Sequence, residues 1–170
     1  MLIENNQLAS EFADICAACC IELFAAYGIA LQPGAPEFAD SDETLLCGVM
    51  GFAGGSVRGT CLLAANRAPI ELSSPSKNRT RDWIGELTNQ LLGRLKRKIL
   101  RHDLDILLTT PLVLSGVHLR PLPRVDLAPR VFSAGSGSIL VWVEVEAAAG
   151  FSLGPPTADL SGSEGDILVF

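Results

Sequence analysis

The sequence predicts an α/β fold of the α+β sandwich type, in which two long helices cover a mainly antiparallel sheet. Three observations predict it. Residues 6–28 and 80–102 show the apolar periodicity of amphipathic helices. Residues 44–52 and 56–65 are apolar runs on either side of a glycine-rich turn, which is typical of a hairpin. Residues 138–147 alternate in part between apolar and polar side chains, as in a strand with one half-exposed face.

The remaining predicted elements are shorter. A short helix is expected near Arg67. The apolar run over residues 104–119 predicts a strand that begins at or just after Pro111, because proline donates no hydrogen bond to a sheet ladder. Residues 120–137 form a Pro- and Gly-rich excursion, and "ILVF" (167–170) predicts a terminal strand.

The composition argues against several functional classes. The chain has 170 residues, of which 48% are hydrophobic, so we expect a single globular domain over residues 1–170. Its formal net charge of −6 argues against a nucleic-acid partner and against binding to an anionic membrane. The sequence contains neither a signal peptide nor an uncharged apolar run of about 18 residues. We therefore expect a cytoplasmic protein without a membrane span.

The chain has five cysteines, an odd number that fits a reducing compartment better than a disulfide framework. Cys16 and Cys19 have CxxC spacing, but they lie on the apolar side of the first predicted helix. No second CxxC or paired histidine completes a zinc site. We interpret Cys16, Cys19 and Cys20 as small core residues and expect no metal site. A redox or small-molecule sensor built on this helix is the alternative.

The second long helix carries a polar line opposite its apolar stripe. The stripe consists of Ile84, Leu87, Leu91 and Leu95, flanked by Trp83, Leu92 and Ile99. Asp82, Glu86, Asn89 and Gly93 lie together on the opposite side. On an exposed helix, Gly costs about 1 kcal/mol relative to Ala, and Asn costs several tenths. Two interpretations are open: a solvated face, or a bare patch beside a carboxylate and a carboxamide that another surface approaches closely.

This helix resembles the signature helix of the CheC/CheX/FliY chemotaxis phosphatases. Asp82, Glu86 and Asn89 match the family pattern D/S-x3-E-x2-N in residue type and spacing, and Gly93 and Lys96 follow them. The sequence has a single E-x2-N site of this kind, which favours the one-site CheX type over two-site CheC.

Two further features carry the resemblance, which covers roughly residues 8–118. The segment 48–64 resembles the glycine-marked hairpin of CheX-type members. Pro111 corresponds to the family's proline and follows Asn89 with 21 residues between them, one fewer than is usual in the family. We assign Pro111 a structural role in shaping the neighbouring strand.

The resemblance implies a phosphatase that hydrolyses the aspartyl phosphate on the receiver domain of a CheY-like response regulator. By this resemblance, Asn89 orients the attacking water and Glu86 pairs with a lysine of the receiver. Asp82, Gly93 and Lys96 are assigned to partner docking, with Asp82 alternatively an acid in the first turn of the helix.

The resemblance also implies that the chain needs no cofactor of its own, because the phosphorylated receiver supplies Mg²⁺. A homodimer formed through sheet edges is implied as well. The alternative within the same fold is a non-catalytic module that binds a response regulator or acts as a scaffold. Serine or cysteine hydrolase chemistry has little support, since neither His102 nor His118 lies in a nucleophile motif.

Overall fold

The computed structural model describes residues 2–4, 6–34, 43–76, 79–119, 128–135 and 137–157. In this part of the chain, three helices cover one face of an eight-stranded antiparallel sheet. The helices are α1 (Asn6–Ala25), α2 (Arg67–Ser73) and α3 (Thr80–Leu100). The strands are β1 (Leu2–Glu4), β2 (Gln32–Pro33), β3 (Thr44–Gly54), β4 (Val57–Asn66), β5 (Ile106–Leu108), β6 (Leu112–Val117), β7 (Arg130–Ala134) and β8 (Gly137–Ala148). This architecture is the predicted α+β sandwich.

The first helix ends earlier than its sequence pattern predicts. Gly28 adopts a positive φ of 76°, a conformation that glycine takes without strain. The backbone N–H of Gly28 donates to the carbonyl of Ala25 over 2.9 Å, and that of Ile29 donates to Phe24 over 3.0 Å. These bonds close α1 at Ala25. None of the helices in the described residues is both long and apolar enough to cross a membrane.

The strands lie in the order β2-β7-β8-β4-β3, with β5 and β6 both paired to the far side of β3 and β1 paired to β8. The predicted hairpin is β3–β4, in which Ala53 pairs with Arg58 and a turn at Gly55 and Ser56 joins the strands. The glycines therefore mark the turn, as the sequence predicted.

The two faces of the sheet differ in what covers them. Ile139, Val141 and Val143 of β8 face the helices and are buried, whereas Trp142 and Glu144 on the other face are half-buried. The strand thus has the half-exposed face that its alternation predicted. The apolar stripe of α3 packs in the same core, where these side chains are 0% exposed: Ile84, Leu87, Leu91 and Leu95.

The predicted strand after α3 is present, and a second strand that was not predicted precedes it. β6 begins at Leu112, directly after Pro111, as the missing proline donor requires. Residues Ile106–Leu108 form the separate strand β5, which pairs with the far end of β3. Its three residues are too few for a period-2 pattern to stand out in the sequence.

The interpretation of residues 120–137 as an excursion was wrong in its second half. Arg130–Ala134 forms β7, which pairs with β8 over five residues and with β2. Pairing with a long neighbouring strand supplies the backbone hydrogen bonds that fix so short a strand. β1 and β2 were not predicted either, and the predicted strand at 167–170 lies outside the described residues.

Candidate functional site

The polar line of α3 lies on the exposed side of the helix. Asp82, Glu86 and Asn89 are exposed, and Gly93 is half-buried. The structure therefore brings Glu86, Asn89 and Gly93 together on one surface, with Asp82 one turn before them.

A close approach between α3 and β3 holds this helix in place. Thr88 is fully buried, and its hydroxyl donates to the carbonyl of Ile84 over 2.7 Å. Gly48 of β3 lies directly against it: a Cβ at Gly48 would be 1.9 Å from Thr88 Oγ1. The absent side chain lets the helix come close to the strand, with Asn89 next to Thr88 on the outward side.

The Glu86 carboxylate is bound by Gln90, which is itself bound by Tyr27, and the sequence interpretation missed both residues. Gln90 Nε2 donates to Glu86 Oε1 over 3.0 Å, and the Tyr27 hydroxyl donates to Gln90 Oε1 over 2.8 Å. The Tyr27 ring packs edge-on against Trp83, with centroids 5.5 Å apart and an interplanar angle of 83°. The i,i+4 spacing of Glu86 and Gln90 is a signal that the sequence contains. The contribution of Tyr27, from the turn after α1, depends on tertiary packing.

The Asn89 carboxamide is free to bind. Within the described residues its side chain has no hydrogen-bond partner, although it is exposed at the centre of the polar line. An amide offers both a donor and an acceptor, and neither titrates at physiological pH.

An open pocket of about 430 Å³ lies beside the carboxamide. A Cβ at Gly93 would meet nothing within 4 Å, so the bare backbone leaves this space open. The lining residues are Asn89, Gln90, Gly93, Arg94, Arg97 and Leu108. Four of these residues were not assigned to the site from the sequence: Gln90, Arg94, Arg97 and Leu108.

The other predicted docking residues have partners within the chain. Asp82 pairs with Arg79, with 2.9 Å between Oδ2 and Nη2, which fits its alternative role as an acid in the first turn. Lys96 pairs with Asp105 over 3.1 Å and does not line the pocket.

Pro111, to which the sequence analysis assigned a structural role, is exposed and precedes β6. Its Cγ would lie 4.0 Å from a Cβ at Gly85, one residue before Glu86.

The cysteines are buried in the core, and none of them lines the pocket beside Asn89. All five are buried and free, and Cys16 Sγ lies 3.8 Å from Cys61 Sγ in the core between α1 and β4. Burial raises the pKa of Cys19 to about 12. No group of three or more potential metal ligands occurs among the described residues. The burial of Cys16, Cys19 and Cys20 confirms their interpretation as core residues.

The sequence matches no family model, and no curated protein sequence is significantly similar to it. Solved structures are similar to it in fold. CheX from Vibrio vulnificus has 19% identity and a TM-score of 0.61, and the match covers 79% of this chain and 99% of that one. CheX from Desulfovibrio desulfuricans has 16% identity and a TM-score of 0.62, with the same coverage.

A third similar structure is a complex. It is the CheX–CheY–BeF3–Mg²⁺ complex from Borrelia burgdorferi, with 13% identity, a TM-score of 0.51, and coverage of 82% of this chain and 96% of that one. At these identities the similarity establishes the fold. The chain thus has the α+β fold that these CheX structures share, which is the fold that the resemblance predicted.

Proposed function

We propose that this chain is a CheX-type phosphatase that hydrolyses the aspartyl phosphate on the receiver domain of a CheY-like response regulator. The observation that carries the proposal is the pair formed by Glu86 and Asn89. Both are exposed one turn apart on α3, and the Asn89 carboxamide has no partner among the described residues. The CheX–CheY complex of Borrelia burgdorferi supports a receiver as the partner.

Asn89 suits the chemistry of phosphoryl transfer. That reaction depends mainly on positioning and on stabilising charge, so a phosphatase that acts on a receiver needs few groups of its own. The receiver supplies the phosphoryl group and Mg²⁺. The Asn89 carboxamide accepts a hydrogen bond from the attacking water through its oxygen and holds that water in line with the phosphorus.

Glu86 has the role of fixing the docking register. Its carboxylate pairs with a cationic side chain of the receiver, a lysine by the family resemblance, in a charge-assisted hydrogen bond. Within the described residues Gln90 is its only hydrogen-bonding side chain, and Gln90 is neutral. The charge of Glu86 is therefore available to the partner. Gly93 gives the partner backbone clearance beside Asn89.

The experiment measures phosphate loss from a phosphorylated receiver, with Mg²⁺ present and the chain in catalytic amounts. The wild type accelerates the loss. Asn89→Ala lowers kcat by at least about 100-fold, because the water loses its in-line geometry. Glu86→Ala mainly raises KM. Gln7→Ala is the matched control, since it removes an exposed amide from α1, away from the site.

Three outcomes would overturn the proposal. Full activity of Asn89→Ala, with its fold intact by circular dichroism, removes Asn89 from the mechanism. Stoichiometric binding of the receiver without turnover makes the chain an adaptor. Neither binding nor turnover with any receiver of the same organism rejects the receiver as the partner.

We also propose that the chain forms a homodimer through a sheet edge. β6 lies at the β3 side of the sheet and carries Leu112, 60% exposed, and Leu114, 46% exposed. Among the residues that the structure describes, no strand pairs with the other side of β6, and a strand edge of this kind with exposed leucines favours pairing with another chain. Sedimentation equilibrium of the wild type and of Leu114→Lys tests this: a dimer that Leu114→Lys dissociates supports the edge, and a monomeric wild type rejects it.

A further inference from the structure

The second half of α3 is basic in a chain whose net charge is −6. Its two lysines are already paired. Lys96 contacts Asp105 over 3.1 Å, and Lys98 contacts Glu22 of α1 over 2.5 Å. These pairs attach α3 to its neighbours, so the lysines add little positive potential to the surface.

The two arginines of the same segment are different. Within the described residues, neither Arg94 nor Arg97 forms an ion pair, and both line the pocket beside Asn89. A favourable interaction with the helix dipole explains why cations occur near the end of a helix. The helix dipole does not explain why the two arginines, and not the two paired lysines, line this pocket.

The helix geometry brings the arginines toward the carboxamide. Asn89, Gly93 and Arg97 are spaced four residues apart and lie in one row, with Arg97 about 12 Å beyond Asn89 along the axis. Helical side chains lean toward the N-terminus, which is the direction from Arg97 to Gly93. Gly93 has no side chain in this row, so no side chain of the row lies between Arg97 and Asn89.

The charges in and around the pocket indicate which chemical groups it binds. The proposed substrate carries an anionic phosphoryl group to a chain that is itself negative, and Glu86 stands next to the place of reaction. Two guanidinium groups that have no ion-pair partner within the described residues add positive charge at that place. Guanidinium groups bind carboxylates through two parallel hydrogen bonds, and a charged cleft of this kind also speeds the encounter with its ligand.

We propose that Arg94 and Arg97 form a docking subsite for acidic side chains that flank the phosphorylated aspartate on the partner receiver. This inference rests on the proposed function and names the partner surface that the site recognises: carboxylates on the face that carries the phosphoryl group. The subsite acts on association, and Asn89 acts on the chemical step.

The test compares Arg97→Glu with Arg81→Glu. Both variants lie on α3 and change the net charge by the same amount, but Arg81 is exposed, outside the pocket and unpaired within the described residues. For the wild type, kcat/KM falls as NaCl is raised. At low salt Arg97→Glu lowers kcat/KM by at least about tenfold, leaves kcat unchanged and removes most of the salt dependence. Arg81→Glu stays within about twofold of the wild type.

Replacing a flanking acidic residue of the receiver by lysine restores association with Arg97→Glu, and this result identifies the partner group.

If Arg97→Glu and Arg81→Glu change kcat/KM equally, the subsite proposal is overturned, while turnover by the wild type still supports the proposed function. If the wild type binds without turnover, the same comparison is made on Kd, and equal Kd values overturn the subsite. If Arg97→Glu abolishes inhibition by inorganic phosphate without changing affinity for the receiver, the pocket binds free phosphate instead. A wild type that neither binds nor hydrolyses a receiver overturns both proposals.

Discussion

Tyr27 donates a hydrogen bond from its hydroxyl to Gln90 Oε1 over 2.8 Å, and so connects the turn after α1 to the exposed face of α3. Gln90 in turn donates to Glu86 Oε1 over 3.0 Å. The phenol thereby fixes which way the amide points, because an amide whose oxygen is occupied must present its nitrogen to the carboxylate. Tyr27 is thus a positioning residue for Glu86.

Tyr27→Phe removes this hydroxyl and keeps the ring that packs against Trp83. We expect KM for the phosphorylated receiver to rise between about 2-fold and 10-fold, which corresponds to one net hydrogen bond of about 0.5–1.5 kcal/mol. The value of kcat stays near that of the wild type, because Asn89 is untouched. Steady-state kinetics over a range of receiver concentrations measures the two constants.

Tyr27→Leu provides the comparison, since it also removes the ring and lowers the free energy of unfolding. If Tyr27→Phe leaves both constants unchanged, the hydrogen bond is structural only. If it lowers kcat and leaves KM unchanged, the network acts on Asn89 and not on Glu86.

Gly93 gives a prediction in which stability and activity change in opposite directions. A Cβ at this position meets nothing within 4 Å, so Gly93→Ala should raise the free energy of unfolding by about 1 kcal/mol through helix propensity. Because the added atoms enter the pocket, we expect weaker docking, with a larger effect for Gly93→Gln than for Gly93→Ala. Urea unfolding and KM for the receiver measure the two effects.

Both substitutions should leave the fold unchanged, which circular dichroism checks. A Gly93→Gln variant that docks as well as the wild type would show that no partner surface comes close to this backbone. A stabilised variant with weaker docking would explain why glycine stands in the middle of an exposed helix.

The candidate site was predictable where it depends on spacing along one helix. The positions of Glu86, Asn89 and Gly93 on one side of α3, and of Leu87 and Leu91 on the other, follow from 3.6 residues per turn. The β3–β4 hairpin was predictable for a similar reason, because its turn glycines and apolar runs are local signals.

The parts of the fold and of the candidate site that were not predicted from the sequence depend on contacts between distant segments. Tyr27 is 63 residues from Gln90 in sequence, and no local pattern joins them. β7 consists of five residues that pair with β8, and that pairing decides its structure more than its own composition does. Arg94 and Arg97 could be recognised as basic from the sequence. Within the described residues these arginines are unpaired whereas Lys96 and Lys98 are paired, and this difference depends on tertiary structure.

The contact between Gly48 and Thr88 is another long-range feature, and it predicts a strong effect on stability. A Cβ at Gly48 would lie 1.9 Å from Thr88 Oγ1 and 2.9 Å from Thr88 Cβ, so Gly48→Ala forces α3 away from β3. We expect a loss of about 1–3 kcal/mol, as for other overpacked cores. Chemical denaturation measures the loss.

A double-mutant cycle separates this contact from general effects on the strand. Thr88→Ala removes the nearer atom and should recover part of the stability lost in Gly48→Ala, with a coupling energy above about 0.5 kcal/mol. Additive effects of the two substitutions would show that the strand and the helix do not meet at this point.

The buried cysteines predict a loss of stability at alkaline pH. Burial raises the pKa of the Cys47 thiol from 9.0 to about 11, and burial is its sole cause of shift. Between these two values the unfolded chain loses the thiol proton while the folded chain keeps it. The stability that the neutral thiol contributes is therefore fully present below pH 9 and is lost as the pH rises toward 11. For Cys47 alone, the loss between pH 8 and pH 10 amounts to at most about 1 kcal/mol.

Urea unfolding of the wild type and of Cys47→Ala at pH 8, 9 and 10 measures this loss. Cys47→Ala is expected to be less stable than the wild type at pH 8, because it removes a buried sulfur, and to lose less stability as the pH rises. Other groups that titrate in this range affect both proteins equally. The difference between the two slopes of unfolding free energy against pH is therefore due to Cys47. Parallel slopes would mean that the Cys47 thiolate forms as readily in the folded chain as in the unfolded one.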